Sequence, residues 1–201
     1  MSTAGDPIFI LAAPFSGASF LAAVLGSHPQ LYAVPELNLF MADRVGELLG
    51  IYAAGQGTHG QGLLRAVAEL ECGGQSDAGV DGARAWLRAR ADWPVAGLLD
   101  ALVARVAPRR LFVPDTETPL RAADLCRLRA AAPRAQLVQL LRHPYSACAA
   151  HAAWLRERLF VPADFKDHST RPPLLDPQLG WFRAHRTIER HWPSALRLRV
   201  E

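Results

Sequence analysis

Residues 7–29 read PIFILAAPFSGASFLAAVLGSHP. Positions 8–13 are a continuous apolar run, the pattern of a strand buried on both faces of a parallel sheet. Pro14 to Ser19 form a turn rich in small residues, and residues 20–25 continue as a helix stopped by Gly26 and the Ser-His-Pro after it. A strand that enters a helix through such a turn leaves free backbone N–H groups at the positive helix end, which is an anion site in outline. No Gly-Lys-Ser/Thr follows at Walker A spacing, and Gly17 is the turn's only glycine, so neither that loop nor the dinucleotide fingerprint is present. A plain tight connection has the same pattern, so the turn alone leaves its ligand open.

Working outward, residues 52–84 are rich in Gly, Gln, Ala and Ser, with a helical patch at 63–70. With the following segment to 106 they read as an insertion or cap. Trp86, Leu87, Trp93, Leu98, Leu99, Leu102 and Val103 are spaced for two short helices broken at Pro94. A second strand is expected at 111–113, running into the polar turn DTETP at 115–119, with a helix over 122–132 ended by Pro133. Residues 137–141 repeat the opening arrangement: an apolar strand, a turn at Arg142-His143-Pro144, and a helix over 146–158. A proline-rich charged loop over the sheet edge is expected at 160–177, a helix at 180–191 and a last strand within 195–201. The alternation predicts an α/β fold, a doubly wound parallel sheet with helices on both faces and a P-loop-like phosphate-binding turn after the first strand.

Half of the 201 residues are hydrophobic, enough for one domain with one substantial core. The net charge of +3 is small and acids are interleaved with the arginines, so general nucleic-acid binding is not expected. Lys166 is the only lysine, so nearly every cation is a guanidinium suited to two-pronged oxyanion contacts. Cys72, Cys126 and Cys148 show no CxxC spacing, which predicts neither a zinc site nor a disulfide framework and suits a reducing cytoplasm. No apolar run approaches the roughly 20 residues of a membrane span. The start, MSTAGDP, lacks the basic region of a signal peptide. HExxH and GxSxG are absent, so metal-hydrolase and serine-triad chemistry have no support. His185 and His191 are expected on a polar surface beside Trp192.

Three segments in this order resemble the sulfotransferase family, whose donor is 3′-phosphoadenosine 5′-phosphosulfate: PFSGAS at 14–19, LGSHPQLYAVPELNLF at 25–40, and QLVQLLRHPYSACAAHAAW at 136–154. The second is similar to the bacterial members associated with polyketide synthases. The resemblance runs from Pro7 to Glu201 and implies the α/β fold and transfer of a sulfuryl group to an acceptor hydroxyl, on a small molecule or on an acyl chain held by a carrier protein. It also implies that Ser16, Gly17, Ala18 and Ser19 hold the 5′-phosphosulfate. Arg142, with Ser146, would hold the 3′-phosphate, and Glu36 is the candidate base.

Five positions depart from the family pattern, among them Ala18, where the family loop has a threonine. Phe15 stands where the family has a loop cation, and Asn38 where the polyketide-associated members have a histidine base. After the second strand, aligning on Thr118 and Pro119 puts Glu117 at a lysine position, and a shift of one residue puts Thr116 there. Ala150 replaces a phosphate-binding serine, for which Ser146, one turn earlier, is the expected substitute. Two lost cations worth ~2 kcal/mol each would cost about a thousandfold in rate. A non-catalytic descendant, serving as a nucleotide- or protein-binding module, is therefore the alternative expectation. Glu36 also reads as an ordinary helix-start or surface carboxylate, and His151 as a packed or solvated helix residue. On the acceptor side, Trp154, Phe160, Phe165, Trp181 and Phe182 suit either a pocket or plain core.

Overall fold

The computed structural model describes residues 5–54, 58–157 and 166–200. In chain order the elements are β1 (Ile8–Ala12), α1 (Ala18–Leu25), β2 (Leu31–Ala33), α2 (Val45–Ala54), α3 (Gln61–Glu71), α4 (Asp77–Arg88), α5 (Val95–Val106), β3 (Arg110–Asp115), α6 (Ala122–Ala131), β4 (Gln136–Arg142), α7 (Pro144–Arg156), β5 (Lys166–Asp167), β6 (Leu174–Leu175), α8 (Pro177–His191) and β7 (Leu196–Val200). Five strands form one parallel sheet in the order β2-β3-β1-β4-β7. β1 is its centre, with Ile8 beside Phe112 of β3 and beside Gln136 of β4.

Alternate residues of β1 feed two separate cores. Phe9 and Leu11 join Leu111, Val113 and Leu137 under Leu98, Leu99 and Leu102 of α5, Leu125 and Leu128 of α6, and Ile188 of α8. Ile10 and Ala12 join Phe112 and Leu140 on the other face, where Ala18 and Ala22 of α1 pack. A strand buried on both faces has to be apolar at every position, and Phe9 through Ala12 are fully buried. The connection leaving β1 thus covers one face and the connection leaving β3 covers the other. Ligands of such sheets sit where those connections part, at the carboxyl ends of the strands.

Differences from the expected elements have local causes. α1 begins at Ala18, two residues before the expected start, so Ala18 and Ser19 lie in its first turn. α7 begins at Pro144, because proline's missing N–H costs nothing at a first helical position and His143 caps the turn by accepting from Tyr145 N. β2 is only three residues long and lacks a strand signature, yet it pairs with Arg110, Leu111 and Phe112 at the sheet edge. Part of the expected 160–177 loop is a small antiparallel pair, β5 with β6, and its first six residues lie outside the described ones. Buried residues of α2, α3 and α4, among them Leu48, Leu63 and Leu87, belong to the same core cluster as the sheet face.

Close backbone approach makes one glycine structural for the site. A Cβ on Gly62, in the first turn of α3, would come within 1.9 Å of the Glu36 carbonyl oxygen. That contact is backbone and cannot swing away. Gly62→Ala is expected to lower stability by ~2 kcal/mol or more, measured by urea unfolding, through strain on the segment that carries Glu36.

Candidate functional site

Four strand exits meet at the carboxyl edge of the sheet. The turn after β1 supplies Ser16 and Gly17, the exit of β2 supplies Glu36, that of β3 Thr116 to Thr118, and that of β4 Arg142. Two hydrogen-bonded links join these segments in pairs. Arg142 Nη1 donates to the Phe15 carbonyl at 2.9 Å, fastening the β4 exit to the β1 turn. Glu36 Oε1 accepts from Thr116 Oγ1 at 2.6 Å and from Thr116 N, fastening the β2 exit to the β3 exit.

In the first turn, Gly17 adopts φ +87° and has open space where a Cβ would stand. Ser16 is buried, and its Oγ has no hydrogen-bond partner. A buried hydroxyl without a partner is costly, and one next to the start of a helix is well placed to donate to an oxyanion. The Ala18 side chain packs into the core, leaving its backbone for any ligand, whereas Ser19 is exposed. Ser146 is exposed in the first turn of α7. A guanidinium has five N–H donors, so the bond from Arg142 Nη1 leaves others for a phosphate.

The Phe15 side chain reaches α7. Its ring stacks on His151 of α7 at 5.0 Å between centroids and lies 5.7 Å from Trp154. Its backbone is left-handed, φ 63°, a conformation rarely adopted by a bulky residue. His151 is buried, and burial lowers its pKa from 6.5 to about 4, so it faces Phe15 as a neutral imidazole. Of the other aromatics, Trp181 packs beside Leu120, Leu155 and Ala184 and donates Nε1–H to the Arg142 carbonyl at 3.1 Å. Phe182 is exposed. Phe160 and Phe165 lie outside the described residues.

The second link is acidic. Burial raises the pKa of Glu36, against the lowering effect of the two Thr116 donors. Asp115, at the end of β3, is buried and pushed up to about 7 by burial and by the neighbouring Glu36. Asn38 is also buried, with φ 52°, and its Nδ2 donates to the His59 carbonyl at 3.0 Å while Oδ1 has no partner. Tyr52 Oη donates to one of two nearby carbonyls, Leu37 at 2.8 Å and Asn38 at 3.1 Å, which supports the same segment from α2.

Comparison with known proteins gives this edge a family. The sequence profile of the Sulfotransferase family matches residues 7–200. The chain belongs to the sulfotransferase family. Among solved structures, the sulfotransferase domain from the Synechococcus PCC 7002 olefin synthase shares the fold with a TM-score of 0.75 and 23% identity, over 99% of this chain and 69% of that one. The sulfotransferase domain from the curacin biosynthetic pathway matches with a TM-score of 0.72 and 20% identity, over 100% and 68%. A sulfotransferase from Alicyclobacillus acidocaldarius matches at 0.51 and 14%, over 98% and 73%. At these identities the likeness is one of fold. No curated protein sequence matches.

Within this sulfotransferase fold, the ambiguous alignment of DTETP acquires a physical meaning. Thr116 is the residue whose donors reach Glu36, while Glu117 gives its N–H to Asp115 at 3.2 Å. No lysine is available nearby in sequence, and Lys166 lies in the β5–β6 hairpin. Sequence reasoning missed Asp115; its signal was an Asp three residues before a Thr at a strand end, the spacing of a side-chain-closed turn. His185 corrects another expectation: it is buried instead of forming a polar surface. It sits next to Ala184 on the inward face of α8, with its Nδ1 3.3 Å from Gln139 Nε2 and its ring 4.5 Å from that of Trp181. A neutral imidazole with a partner can be buried where a charged one cannot, and burial lowers its pKa to about 4.

Opposite pH slopes follow for two variants. As pH falls from 6.5 toward 4 the unfolded chain protonates at position 185 before the folded one, so His185 loses the protein stability at acid pH. Asp115 does the reverse, since its folded pKa is raised and its contribution disappears as pH rises from 3.8 through about 7. Relative to the parent, His185→Gln should therefore gain stability between pH 7.5 and 4.5 and Asp115→Asn should lose it, read from urea unfolding at both values.

Proposed function

We propose that this chain transfers a sulfuryl group from 3′-phosphoadenosine 5′-phosphosulfate to an acceptor hydroxyl. The observation that carries the reading is the buried, unpartnered Ser16 Oγ in the turn after β1, beside the start of α1. That hydroxyl, the backbone of Gly17, Ala18 and Ser19, and the positive end of α1 suit a phosphosulfate. Arg142, with Ser146 one turn into α7, suits the 3′-phosphate. When bound, the phosphosulfate supplies an electrophilic sulfur with a good leaving group.

Glu36 is the proposed base. Burial raises its proton affinity above that of a free carboxylate, and the Thr116 donors hold the ionised form in place. Asn38 cannot take a proton, but its free Oδ1 is an acceptor suited to orienting a hydroxyl. The acceptor class we propose is a small hydroxyl-bearing molecule or an acyl chain tethered to a carrier protein, in keeping with the likeness to domains of an olefin synthase and of the curacin pathway. The Phe15 ring packed on His151 favours a second reading, a domain that binds the nucleotide without turnover, because no side chain of the turn itself then supplies a cation for developing sulfuryl charge.

Calorimetric titration with 3′,5′-adenosine bisphosphate tests the site. Micromolar binding is expected, weakened about tenfold or more by Arg142→Ala. Ser16→Ala should also weaken it while raising the stability of the ligand-free protein by ~1 kcal/mol, since the orphaned hydroxyl is removed. Absence of binding by the parent chain would overturn the nucleotide reading. Adding cations with Phe15→Arg and Glu117→Lys separates the two readings. Faster release of 3′,5′-adenosine bisphosphate from the donor in the presence of a hydroxyacyl pantetheine supports catalysis, and no gain supports the binding module.

A further inference from the structure

We infer that Asp115 is a positioning residue for Glu36, holding the β3 exit in the conformation that aims both Thr116 donors at the Glu36 carboxylate. The inference rests on the reading of Glu36 as the base. Both Asp115 oxygens are spent inside its own turn. Oδ1 accepts from Glu117 N at 3.2 Å and Thr118 N at 2.9 Å, and Oδ2 accepts from Thr118 Oγ1 at 2.6 Å. Asp115 and Thr118 are both buried, so the closure is shielded from water. It pulls the residues on either side of Thr116 inward and leaves the Thr116 N–H and Oγ1 directed at Glu36. β2 pairs directly with β3, and Glu36 follows three residues after the end of β2, so the two exits are side by side.

The groups facing Asp115 define what its substitution changes. Glu36 comes from the β2 exit, Tyr52 from α2, and Glu117 and Thr118 from its own turn. Tyr52 has the carbonyls of Leu37 and Asn38 as its hydrogen-bond partners, and the Asp115 charge acts on it only through space, raising its pKa. Asp115 in turn influences Glu36 in two opposing ways. Through the turn it keeps two donors on the carboxylate, which favours the ionised form. Through space any negative charge it carries disfavours that form. A purely structural cap would do neither in a way that the Glu36 titration reports.

The test is the titration of Glu36 in the ligand-free protein, followed by NMR with ¹³C-labelled glutamate and assigned with Glu36→Gln. Asp115→Ala should raise the Glu36 pKa by ~0.5 unit or more as the Thr116 donors are released. Thr118→Val, which removes one donor to Asp115 with little change of shape, should raise it by less and carries the test should Asp115→Ala fail to fold. Asp115→Asn retains the Oδ1 acceptor, and because Asp115 keeps its proton up to about pH 7 the substitution should leave the Glu36 pKa nearly unchanged. No upward movement with either Asp115→Ala or Thr118→Val would overturn the positioning role. Because this measurement needs no nucleotide, the two readings fail separately. Missing nucleotide binding with the shifts present overturns sulfuryl transfer, and intact binding without the shifts overturns the role of Asp115.

Discussion

All five strands of the central sheet run the same way, and the rest of the molecule depends on that constraint. Parallel strands need crossovers, the crossovers here cover both faces, and a strand covered on both faces must be apolar throughout. The polar residues of β3 and β4 are consequently pushed toward the strand ends, and the exits bring Ser16, Glu36, Thr116 and Arg142 to one edge. Gln139, paired with His185 inside the sheet, is the exception and has a partner of its own.

That edge divides into two halves of different chemistry. On the β1–β4 side the turn is tied to Arg142 and contains a buried hydroxyl without a partner. On the β2–β3 side, two carboxyl groups, Glu36 and Asp115, are held by threonine and backbone donors under a buried tyrosine. Burial raises the proton affinity of both, and the Glu36 charge raises that of Asp115 further. Such a half suits taking up a proton, and does little to neutralise charge on an oxyanion. The positions where the resemblance implies cations carry Phe15, packed on His151, and either Glu117, whose N–H closes the β3 turn, or Thr116. With no cation at either position, Arg142 and the backbone N–H groups at the start of α1 are the positive groups next to the turn after β1.

Much of the architecture was legible in the sequence because each long strand is an apolar run bounded by turn residues, and the helices between them have clear stops. β1, β3, β4 and β7 were found within one or two residues. β2 was not, because three residues after a His-Pro turn are too short to show a period; pairing with β3 makes it a strand. His185 was misread for a related reason. Its burial depends on Gln139, 46 residues earlier, and no local spacing records such a partner.

By itself the sequence determined the fold class, the turn after the first strand, the family resemblance and the set of departures from it, since all of these depend on local order and residue type. Tertiary structure decided what the departures mean. It moved the Phe15 ring onto α7, joined Glu36 to Thr116 across 80 positions, and placed Asp115 where its carboxylate shapes a turn. Those outcomes depend on which strand exits become neighbours, and that is fixed only when the sheet pairs β2 with β3 and β1 with β4.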